Sequence, residues 1–372
     1  MNASGTAEIL TENGGKAPAK DAPQAIRLGV IGATGYAGRE LITTLAHHPD
    51  VRITRLMSSG RQEKGAFPIE KTHPALKDRT REGQVRSCEP LDLDNLSRAA
   101  VDLVFLATPH ETSHEIVPLL LARGLRVIDL SGAFRLKDTS AYRRWYGFEH
   151  LVAGALEEAV YGSPELNAEA IRSARLVANP GCYATSIILG LAPLLQAGWV
   201  DLASGIVCDS KSGASGAGRA PMQKLHFAEV NENCRAYGLF SHRHLPEVLQ
   251  VLGLEESCFT FTPHLLPITR GMLSTIYLRL APSPGISADA ILDLYGKFYA
   301  QAPLVRVYER GTLPEVQAVA HTNYADVGFG FDASTRRLVI VSALDNLGKG
   351  AAGQAVENMN LMCGFPQETA LA

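Results

Sequence analysis

The stretch that decides the fold is IRLGVIGATGYAGRELITTLAHHP, residues 26–49. A short apolar run leads into glycines with the spacing G-x-x-G-x-x-G, and a helix-like pattern follows. Glycines at a strand-to-helix turn let the backbone approach a pyrophosphate, and the helix N-terminus favours negative charge. The place of the glycines between a strand and a helix therefore predicts a dinucleotide-binding turn. The candidate cofactor contacts in this turn are Gly32, Thr34, Gly35, Tyr36, Ala37 and Gly38.

The second strand, VRITRLM at residues 51–57, ends in SSGR. An acidic residue at this position would accept hydrogen bonds from a free ribose 2′-hydroxyl, but none is present. Ser58, Ser59 and Arg61 instead suit a 2′-phosphate, so the sequence favours NADP(H) over NAD(H) as the cofactor. A solvated turn is the alternative interpretation of these residues.

The remaining sequence predicts two kinds of sheet. The runs VDLVFLAT, LRVIDLS and RLVAN are separated by helix-length segments, which is typical of a mainly parallel sheet. Beyond residue 182, strand-like runs such as GIVCDSKSG and the predicted hairpin ADVGFGFDASTRRLVIVSA have few helices between them, so a mixed or antiparallel sheet is expected. LDNLGKGAAGQAVENMNLM predicts a glycine-rich turn and a final helix. The fold class is thus α/β plus α+β, a Rossmann-type domain followed by a mixed-sheet domain.

A length of 372 residues indicates about two domains. We expect a mobile tail at residues 1–25, an NADP-binding domain at 26–180 with 346–372, and a catalytic and dimerisation domain at 181–345. The formal charge of -3 and the lack of a polybasic arm argue against nucleic acid as a partner. Apolar runs fall short of the ~20 residues that span a membrane. Six cysteines without a C-x-x-C pair indicate free thiols in a reducing cytoplasm.

HETSH, residues 110–114, opens an alternative of another class. It matches H-E-x-x-H, in which His110 and His114 would bind zinc and Glu111 would act as base. The motif directly follows a strand in the nucleotide-binding half, and no third ligand is apparent nearby. We therefore favour a polar helix start facing the cofactor cleft, and we predict no metal.

NPGCYATSIILG, residues 179–190, places Cys182 between a proline–glycine pair and an apolar run that starts a helix. A buried structural thiol and an attacking nucleophile are both compatible with this context. A position at a helix N-terminus would lower the pKa of the thiol and enrich the thiolate. Residues elsewhere in the chain must decide between the two.

The blocks GATGYAGREL, LSGAFRL, NPGCYAT, SGASGAGR, HRHLPE and LDNLGKGAAGQAVENMN together resemble the N-acetyl-gamma-glutamyl-phosphate reductase family of arginine biosynthesis. The resemblance covers essentially the whole chain beyond the tail. It implies NADPH-dependent reduction of a small-molecule acyl phosphate to an aldehyde, a fold like aspartate-semialdehyde dehydrogenase, and a homodimer or homotetramer. It also implies that the C-terminal helix returns to the nucleotide-binding domain.

The resemblance implies that Cys182 forms a thioester with the acyl group. Backbone N–H groups around Cys182 and Tyr183 would stabilise the oxyanion. His242 is the favoured acid/base, with His244 and Glu247 in support, and the two histidines would face the same side if HRH is extended. A hydrogen-bonded structural histidine is the alternative for His242.

Further candidates follow from chemical need and from the resemblance. Guanidinium groups pair with carboxylates and phosphates, although each candidate arginine would equally suit a salt bridge. The candidate substrate contacts are Arg135, Ser212, Arg219 and Arg270, and Asn346 is the candidate contact for the nicotinamide end of the cofactor. Two rivals stay open: a related reductase for carrier-linked aminoadipyl phosphate or aspartyl phosphate, and a non-catalytic NADP sensor.

Overall fold

The computed structural model describes residues 25–59, 65–77 and 84–372. The predicted tail, apart from its last residue, lies outside this range, and so does Arg61. The described backbone forms a first sheet in the N-terminal half and a second sheet in the C-terminal half.

The first sheet contains the predicted apolar runs together with short edge strands. Its strands are β1 (Ile26–Ile31), β2 (Val51–Met57), β3 (Phe67–Pro68), β4 (Ser87–Glu89), β5 (Leu103–Leu106), β6 (Arg126–Asp129), β7 (Val160–Tyr161) and β8 (Leu176–Ala178). They lie in the order β3-β4-β2-β1-β5-β6-β8-β7, and neighbours are parallel except for β3 and β4. Every residue of β5 is buried, as expected for a parallel strand covered on both faces.

The second sheet is mixed, as the sequence predicts. Its strands are β9 (Ile206–Gly213), β10 (Arg235–Ala236), β11 (Phe259–Leu266), β12 (Met272–Arg279), β13 (Val305–Val307), β14 (Ala325–Asp332) and β15 (Arg337–Leu344). They lie in the order β10-β11-β9-β12-β15-β14-β13. β14 and β15 form the predicted antiparallel hairpin, whereas β9 and β11 are parallel. In β12 buried residues alternate with more exposed ones, so one face packs on the core.

Helices connect the strands and cover the sheets. They are α1 (Tyr36–Leu45), α2 (His110–Ala122), α3 (Ala141–Trp145), α4 (Ala153–Glu158), α5 (Pro164–Ser173), α6 (Cys182–Gln196), α7 (Phe227–Val230), α8 (Leu245–Leu252), α9 (Ala288–Phe298), α10 (Val316–Val319) and α11 (Gly353–Cys363). Short 3₁₀ turns lie at Ile69–Lys71, Pro74–Leu76, Leu93–Asn95, Leu202–Ser204, Ala214–Ala217, Gln223–Leu225 and Glu256–Cys258. In the part of the chain that the structure describes, no helix is long and apolar enough to cross a membrane.

The helix α6 joins the two halves at the position of the cysteine. Its residues from Tyr183 to Leu194 are all buried, since the helix packs on the inner face of the second sheet. A helix that is apolar all round is typical of a core position. Cys182, its first residue, is thereby held at the junction between the first and second sheets.

The C-terminal helix α11 returns to the first half of the chain. Val356 and Met359 belong to the same hydrophobic cluster as Leu41 and Ile42 of α1. The glycine-rich segment that the sequence predicts before the final helix forms a π-helical turn, Gly348–Ala352, which leads into α11. These contacts support our proposed division of the chain into residues 26–180 with 346–372 and residues 181–345.

Candidate active site

The turn after β1 is shaped by close backbone contacts. Gly32 has a φ of +85°, and a Cβ placed on it would lie 2.3 Å from the carbonyl oxygen of Ala107. A Cβ on Gly38 would lie 2.3 Å from the carbonyl oxygen of Gly32. Only glycine therefore fits at these two positions. Gly35 precedes α1 as its N-cap, so the helix N-terminus faces the turn.

A cavity of about 910 Å³ lies against this turn, and we call it the glycine-turn cavity. Ser58 is buried beside β2, and its Oγ has no hydrogen-bond partner among the described residues. A backbone cradle that a Cβ would fill, at the N-terminus of a helix, fits the phosphates of an NADP(H) molecule. Ser58 does not line the cavity, so its contact with the cofactor stays a prediction. Gly38 packs on the turn and does not line the cavity. The predicted cofactor contacts that line it are Gly32, Thr34, Gly35, Tyr36, Ala37, Ser59 and Asn346.

The side chain of Asn346 is already engaged inside the protein. Its Oδ1 accepts the Gly271 N–H at 2.8 Å, and its Nδ2 donates to Ser215 Oγ at 2.9 Å. These bonds fix the amide at the wall of the glycine-turn cavity. The contact between Asn346 and the nicotinamide end of the cofactor stays a prediction.

Cys182 lines the glycine-turn cavity and also a second cavity of about 520 Å³, which we call the histidine cavity because His242 and His244 line it. The first helical hydrogen bond of α6 runs from the Thr185 N–H to the carbonyl oxygen of Gly181 at 2.9 Å. The N–H groups before Thr185 have no acceptor within the helix. They are therefore available as donors to an oxyanion.

The ionisation of the Cys182 thiol differs from the sequence expectation. Burial raises its pKa to about 11, although the Tyr183 N–H and the Arg135 guanidinium both favour the thiolate. The expectation of a lowered pKa was wrong, because removing a charged thiolate from water outweighs the helix N-terminus here. A base must therefore accept the thiol proton when Cys182 attacks near neutral pH.

Glu247 lies in the first turn of α8 and is fully buried. Its carboxylate accepts hydrogen bonds from Arg135 Nη1 at 2.9 Å, from the Tyr161 hydroxyl at 3.1 Å and from the Gly181 N–H at 3.0 Å. The last of these bonds holds the backbone one residue before Cys182. This geometry supports Glu247 as a residue that positions the cysteine.

Arg135 is tied into the same buried network. Its Nε donates to the carbonyl oxygen of Asn179 at 2.8 Å, and its Nη2 donates to that of Leu130 at 2.8 Å. With the bond to Glu247, each guanidinium nitrogen already has a protein acceptor. We therefore propose that Arg135 positions the NPGC turn. It also lines the glycine-turn cavity, and its assignment as a substrate contact stays a prediction.

His242 and His244 lie close together, but not through the extended backbone that the sequence analysis considered. Residues 242–244 form a turn rather than a strand, and His244 has helical φ and ψ as the N-cap of α8. The ring centroids are 4.7 Å apart because the turn brings them together. The His244 N–H donates to His242 Nδ1 at 3.1 Å, so a neutral His242 carries its proton on Nε2.

The surroundings of the two rings differ. Burial and the charge of Arg243 lower the pKa of His242 to about 4, so His242 is neutral at pH 7. His244 is buried, and its ring packs so closely on Gly181 that a Cβ there would lie 2.3 Å from His244 Nε2. His242 is thus the more accessible base, and His244 contacts the backbone next to Cys182.

Two of the remaining arginine candidates are held away from the histidine cavity. Arg270 lines neither of the two cavities at Cys182, and its guanidinium pairs with Glu40 and Asp345, each at 2.8 Å. We therefore withdraw it as a substrate contact, because its charge is neutralised inside the protein. Arg219 donates to the carbonyl oxygen of Thr34 at 2.8 Å and lines the glycine-turn cavity. This position supports a contact with the cofactor phosphates.

The histidine cavity contains cations that the sequence analysis missed. Ser212, the remaining substrate candidate, lines this cavity. So do Arg243, Lys224 and Arg235. Arg243 stands inside the HRH block, which was the available signal. Lys224 lies in a 3₁₀ turn and Arg235 in β10, and only the fold brings these two segments to the cavity.

The HETSH segment forms the start of α2 and does not build a metal site. The described residues contain no group of three or more His, Cys, Asp or Glu side chains suited to hold a metal ion. His114 Nε2 accepts the Leu151 N–H at 3.1 Å, so its lone pair is engaged. His110 instead stacks on Phe148. These contacts argue against the zinc hydrolase alternative.

His150, next to His114, is expected to make the protein less stable in acid. Burial and the neighbouring His114 lower the pKa of His150 from 6.5 to about 4. The unfolded chain binds a proton at this position more readily, so the free energy of unfolding falls as the pH falls from 6.5 towards 4. His150→Gln should reduce this slope, as measured by urea unfolding at several pH values. An unchanged slope would contradict the assignment.

Comparison with known proteins defines the class. Residues 27–174 match the family model described as the NAD binding domain of semialdehyde dehydrogenase, and residues 182–346 match the model of its dimerisation domain. The first match includes the glycine turn after β1, and the second match begins at Cys182. The chain therefore has the two-domain organisation of the semialdehyde dehydrogenases.

Similarities to individual proteins narrow the class further. The chain is 49% identical over 350 residues to N-acetyl-gamma-glutamyl-phosphate reductase of Desulfotalea psychrophila, which covers 93% of this chain and 98% of the relative. It is 45% identical over 351 residues to the reductase of the same name from Pelotomaculum thermopropionicum, with 94% and 98% covered. The chain belongs to the N-acetyl-gamma-glutamyl-phosphate reductase family, which confirms the resemblance seen in its motifs.

Solved structures show the same fold at low identity. Aspartate semialdehyde dehydrogenase II from Vibrio cholerae matches with a TM-score of 0.67 and 18% identity, covering 92% of this chain and 99% of the other. Aspartate semialdehyde dehydrogenase with NADP from Candida albicans matches with a TM-score of 0.65 and 16% identity, covering 93% and 100%. These matches confirm the predicted fold class.

Proposed function

We propose that this protein reduces N-acetyl-gamma-glutamyl phosphate to N-acetyl-glutamate 5-semialdehyde with NADPH and releases phosphate, as a step of arginine biosynthesis. The observation that carries the proposal is the position of Cys182. It begins a buried helix at the point where the glycine-turn cavity and the histidine cavity meet. A nucleophile between a cofactor site and a second cavity suits covalent transfer of an acyl group followed by its reduction.

The first half of the reaction uses residues of this chain alone. Cys182 Sγ attacks the acyl carbon while the thiol proton passes to His242 Nδ1, the ring nitrogen without a proton, which gives up its hydrogen bond from the His244 N–H. The bond from that carbon to the phosphate oxygen then breaks. First-turn N–H groups of α6 stabilise the oxyanion of the tetrahedral intermediate. The products of this half are a thioester on Cys182 and free phosphate.

The second half releases the aldehyde. Bound NADPH supplies the hydride that reduces the thioester. The protonated His242 returns its proton to the developing oxygen and takes it back as the C–S bond breaks. The departing Cys182 sulfur is then reprotonated. Glu247 and Arg135 keep the turn before Cys182 in place throughout.

The charges of the histidine cavity suit an anionic substrate. Arg243 lines both cavities at Cys182, which favours a contact with the phosphoryl group of the substrate. Lys224 and Arg235 line the histidine cavity and suit the carboxylate at the other end of the substrate. Ser212 offers a hydroxyl in the same cavity.

The decisive assay is phosphate-dependent reduction of NADP⁺ with N-acetyl-glutamate 5-semialdehyde, the proposed reaction run backwards. Aspartate semialdehyde and carrier-linked aminoadipate semialdehyde serve as competing substrates. We expect the N-acetylated aldehyde to have the highest kcat/KM. Preference for another aldehyde would replace the substrate assignment, and NADPH binding without any turnover would favour the sensor alternative.

Cofactor preference is tested at Arg61, which lies outside the described residues. Arg61→Ala should weaken NADPH binding by about 1–3 kcal/mol, the cost of a lost charge-assisted hydrogen bond, and leave NADH binding nearly unchanged. The measurement is the dissociation constant of each cofactor by fluorescence titration. Equal losses for both cofactors would mean that Arg61 does not contact the 2′-phosphate.

We also propose a homodimer or homotetramer in the cytoplasm. The matched dimerisation domain and an exposed apolar pair on the second sheet support the assembly, since Val207 of β9 and Tyr277 of β12 are paired neighbours and each is 45% exposed. Light scattering after size-exclusion chromatography measures the assembly. The cysteines, all in the described part of the chain, are free thiols, which supports a reducing compartment.

A further inference from the structure

The turn Gly348–Ala352 packs directly on the reactive cysteine. A Cβ placed on Gly350 would lie 2.8 Å from the Cβ of Cys182, and a Cβ on Gly348 would lie 2.3 Å from the carbonyl oxygen of Thr322. The turn thus approaches its neighbours without side chains in between. Gly350 and the adjacent residues Leu347 and Ala351 also line the glycine-turn cavity. A small movement of this turn would shift both Cys182 and the cavity wall.

Lys349 is the one long side chain in the sequence GKGAA of this turn. It is fully buried, and its ammonium donates to Glu165 Oε1 of α5 at 2.5 Å and to Glu357 Oε2 of α11. The carboxylates are themselves only 1% exposed. Ion pairs so far from water restrict the geometry of the groups they join. The side chain of Lys349 therefore ties the turn to two helices.

We propose that the cluster of Lys349, Glu165 and Glu357 holds the turn Gly348–Ala352 against Cys182, which makes Lys349 a positioning residue for the reaction. This inference rests on the proposed role of Cys182 as the nucleophile. Glycine and alanine give the rest of the turn no side-chain anchor of comparable reach. The ammonium therefore fixes the orientation of a segment that packing alone leaves weakly constrained.

The charges in the cluster do not balance when all three groups are ionised. Burial and the nearby carboxylates of Glu165 and Glu368 raise the pKa of Glu357 to about 7 against the pull of Lys349. The same ammonium keeps the pKa of Glu165 low despite burial, and the Ser163 hydroxyl also donates to that carboxylate, at 3.1 Å. Glu357 Oε1 has no hydrogen-bond partner among the described residues. Glu357 is thus the group that takes up the extra proton.

Because the pKa of Glu357 is raised, the free energy of unfolding should depend on pH in a way that reports on the cluster. The folded protein holds a proton on Glu357 up to about pH 7, whereas a carboxyl of ordinary pKa 4.5 has already lost it. This group therefore stabilises the fold less and less as the pH rises from 4.5 through 7. Glu357→Gln should remove that loss, so its stability relative to the parent should be greater at pH 8 than at pH 5. The opposite trend would contradict the charge assignment.

The main test removes every charge of the cluster at once, because deleting the lysine alone would strand two buried carboxylates. In the triple variant Lys349→Met, Glu165→Gln and Glu357→Gln, we expect kcat to fall about 10- to 100-fold, as when a reacting group is misplaced by about an ångström, with a smaller change in KM. Iodoacetamide should alkylate Cys182 faster, since the turn that covers it is loosened. Peptide mass spectrometry follows Cys182 separately from the other thiols.

A matched control separates positioning from general destabilisation. Arg306 and Asp326 form an ion pair in which Asp326 is fully buried, on β13 and β14, and neither residue lines a cavity at Cys182. Arg306→Met with Asp326→Asn should lower the melting temperature while kcat per folded molecule stays at the parent value.

The outcomes decide the proposal. A triple variant with the parent kcat and the parent alkylation rate of Cys182 would overturn it, and so would a control variant that loses kcat equally. If the triple variant does not fold, Lys349→Met with Glu165→Gln takes its place, assayed at pH 6, where Glu357 carries its proton. A change in the same two directions is expected, and no change in either counts against the proposal. The alkylation rate needs no substrate, so it still tests the cluster if the proposed reaction fails.

Discussion

Replacing Cys182 by serine is expected to abolish turnover and leave NADPH binding nearly unchanged. A serine hydroxyl is a far weaker nucleophile than a thiol, and the thioester that accepts hydride cannot form without sulfur. Loss of a covalent nucleophile lowers kcat on the order of 10⁴- to 10⁶-fold. Steady-state assays of Cys182→Ser measure the loss, and fluorescence titration with NADPH measures cofactor binding.

A second cysteine provides the control. Cys258, in a 3₁₀ turn away from both cavities at Cys182, should tolerate serine with the parent kcat. Because burial raises the pKa of Cys182 to about 11, inactivation by iodoacetamide should accelerate as the pH rises above neutrality. The exposed Cys234 should also react, so rapid alkylation does not by itself identify Cys182. A Cys182→Ser enzyme with a substantial share of the parent activity would contradict the thioester mechanism.

Replacing His242 by asparagine is expected to give the other large loss. The amide cannot carry a titrating proton, so kcat should fall by about 10²- to 10⁴-fold with a smaller change in KM. His242 acts as a base when neutral, so kcat/KM of the parent should decline as the pH falls through about 4, where His242 titrates. That limb of the pH profile should be missing in His242→Asn.

The neighbouring histidine serves as the matched comparison. His244 is buried against Gly181, so His244→Asn should disturb the binding site, raise KM and leave the shape of the pH profile intact. If the two variants behave the other way round, the roles of His242 and His244 must be exchanged. If both variants keep the limb, the proton comes from another group and the histidine step is wrong.

Much of the fold follows from local sequence patterns. The strands Ile26–Ile31 and Val51–Met57 lie where the sequence predicts them. Residues 28–31 are buried, as expected of a parallel strand covered on both faces, whereas the first residues of Val51–Met57 alternate between buried and exposed. The glycine at position 32 is required by a positive φ and a close backbone contact, which no other residue tolerates. The short strands β3, β4, β7 and β10 were not predicted. A strand of two or three residues forms only because a neighbouring strand offers it hydrogen-bond partners, and its own sequence carries little signal.

The candidate site was only partly visible in the sequence. The blocks NPGCYAT and HRH are contiguous in the sequence, so Cys182 and the two histidines could be proposed as site residues without the structure. The geometry of HRH was not visible, and a turn replaced the expected strand because α8 begins at Leu245 directly after it. The hydrogen bond to His242 Nδ1, and with it the position of its proton, depends on that turn.

The sequence by itself determined the fold class, the family, and the candidate cysteine and glycine turn, since each depends on patterns within a few dozen residues. Only the tertiary structure decided which charged side chains pair with one another. Arg135 meets Glu247 from 112 positions away, Arg270 meets Asp345 from 75, and Lys349 meets Glu165 from 184. The partner of a buried charge is whatever group the fold places opposite it, and the pKa of Cys182 likewise reflects the water that the whole fold excludes.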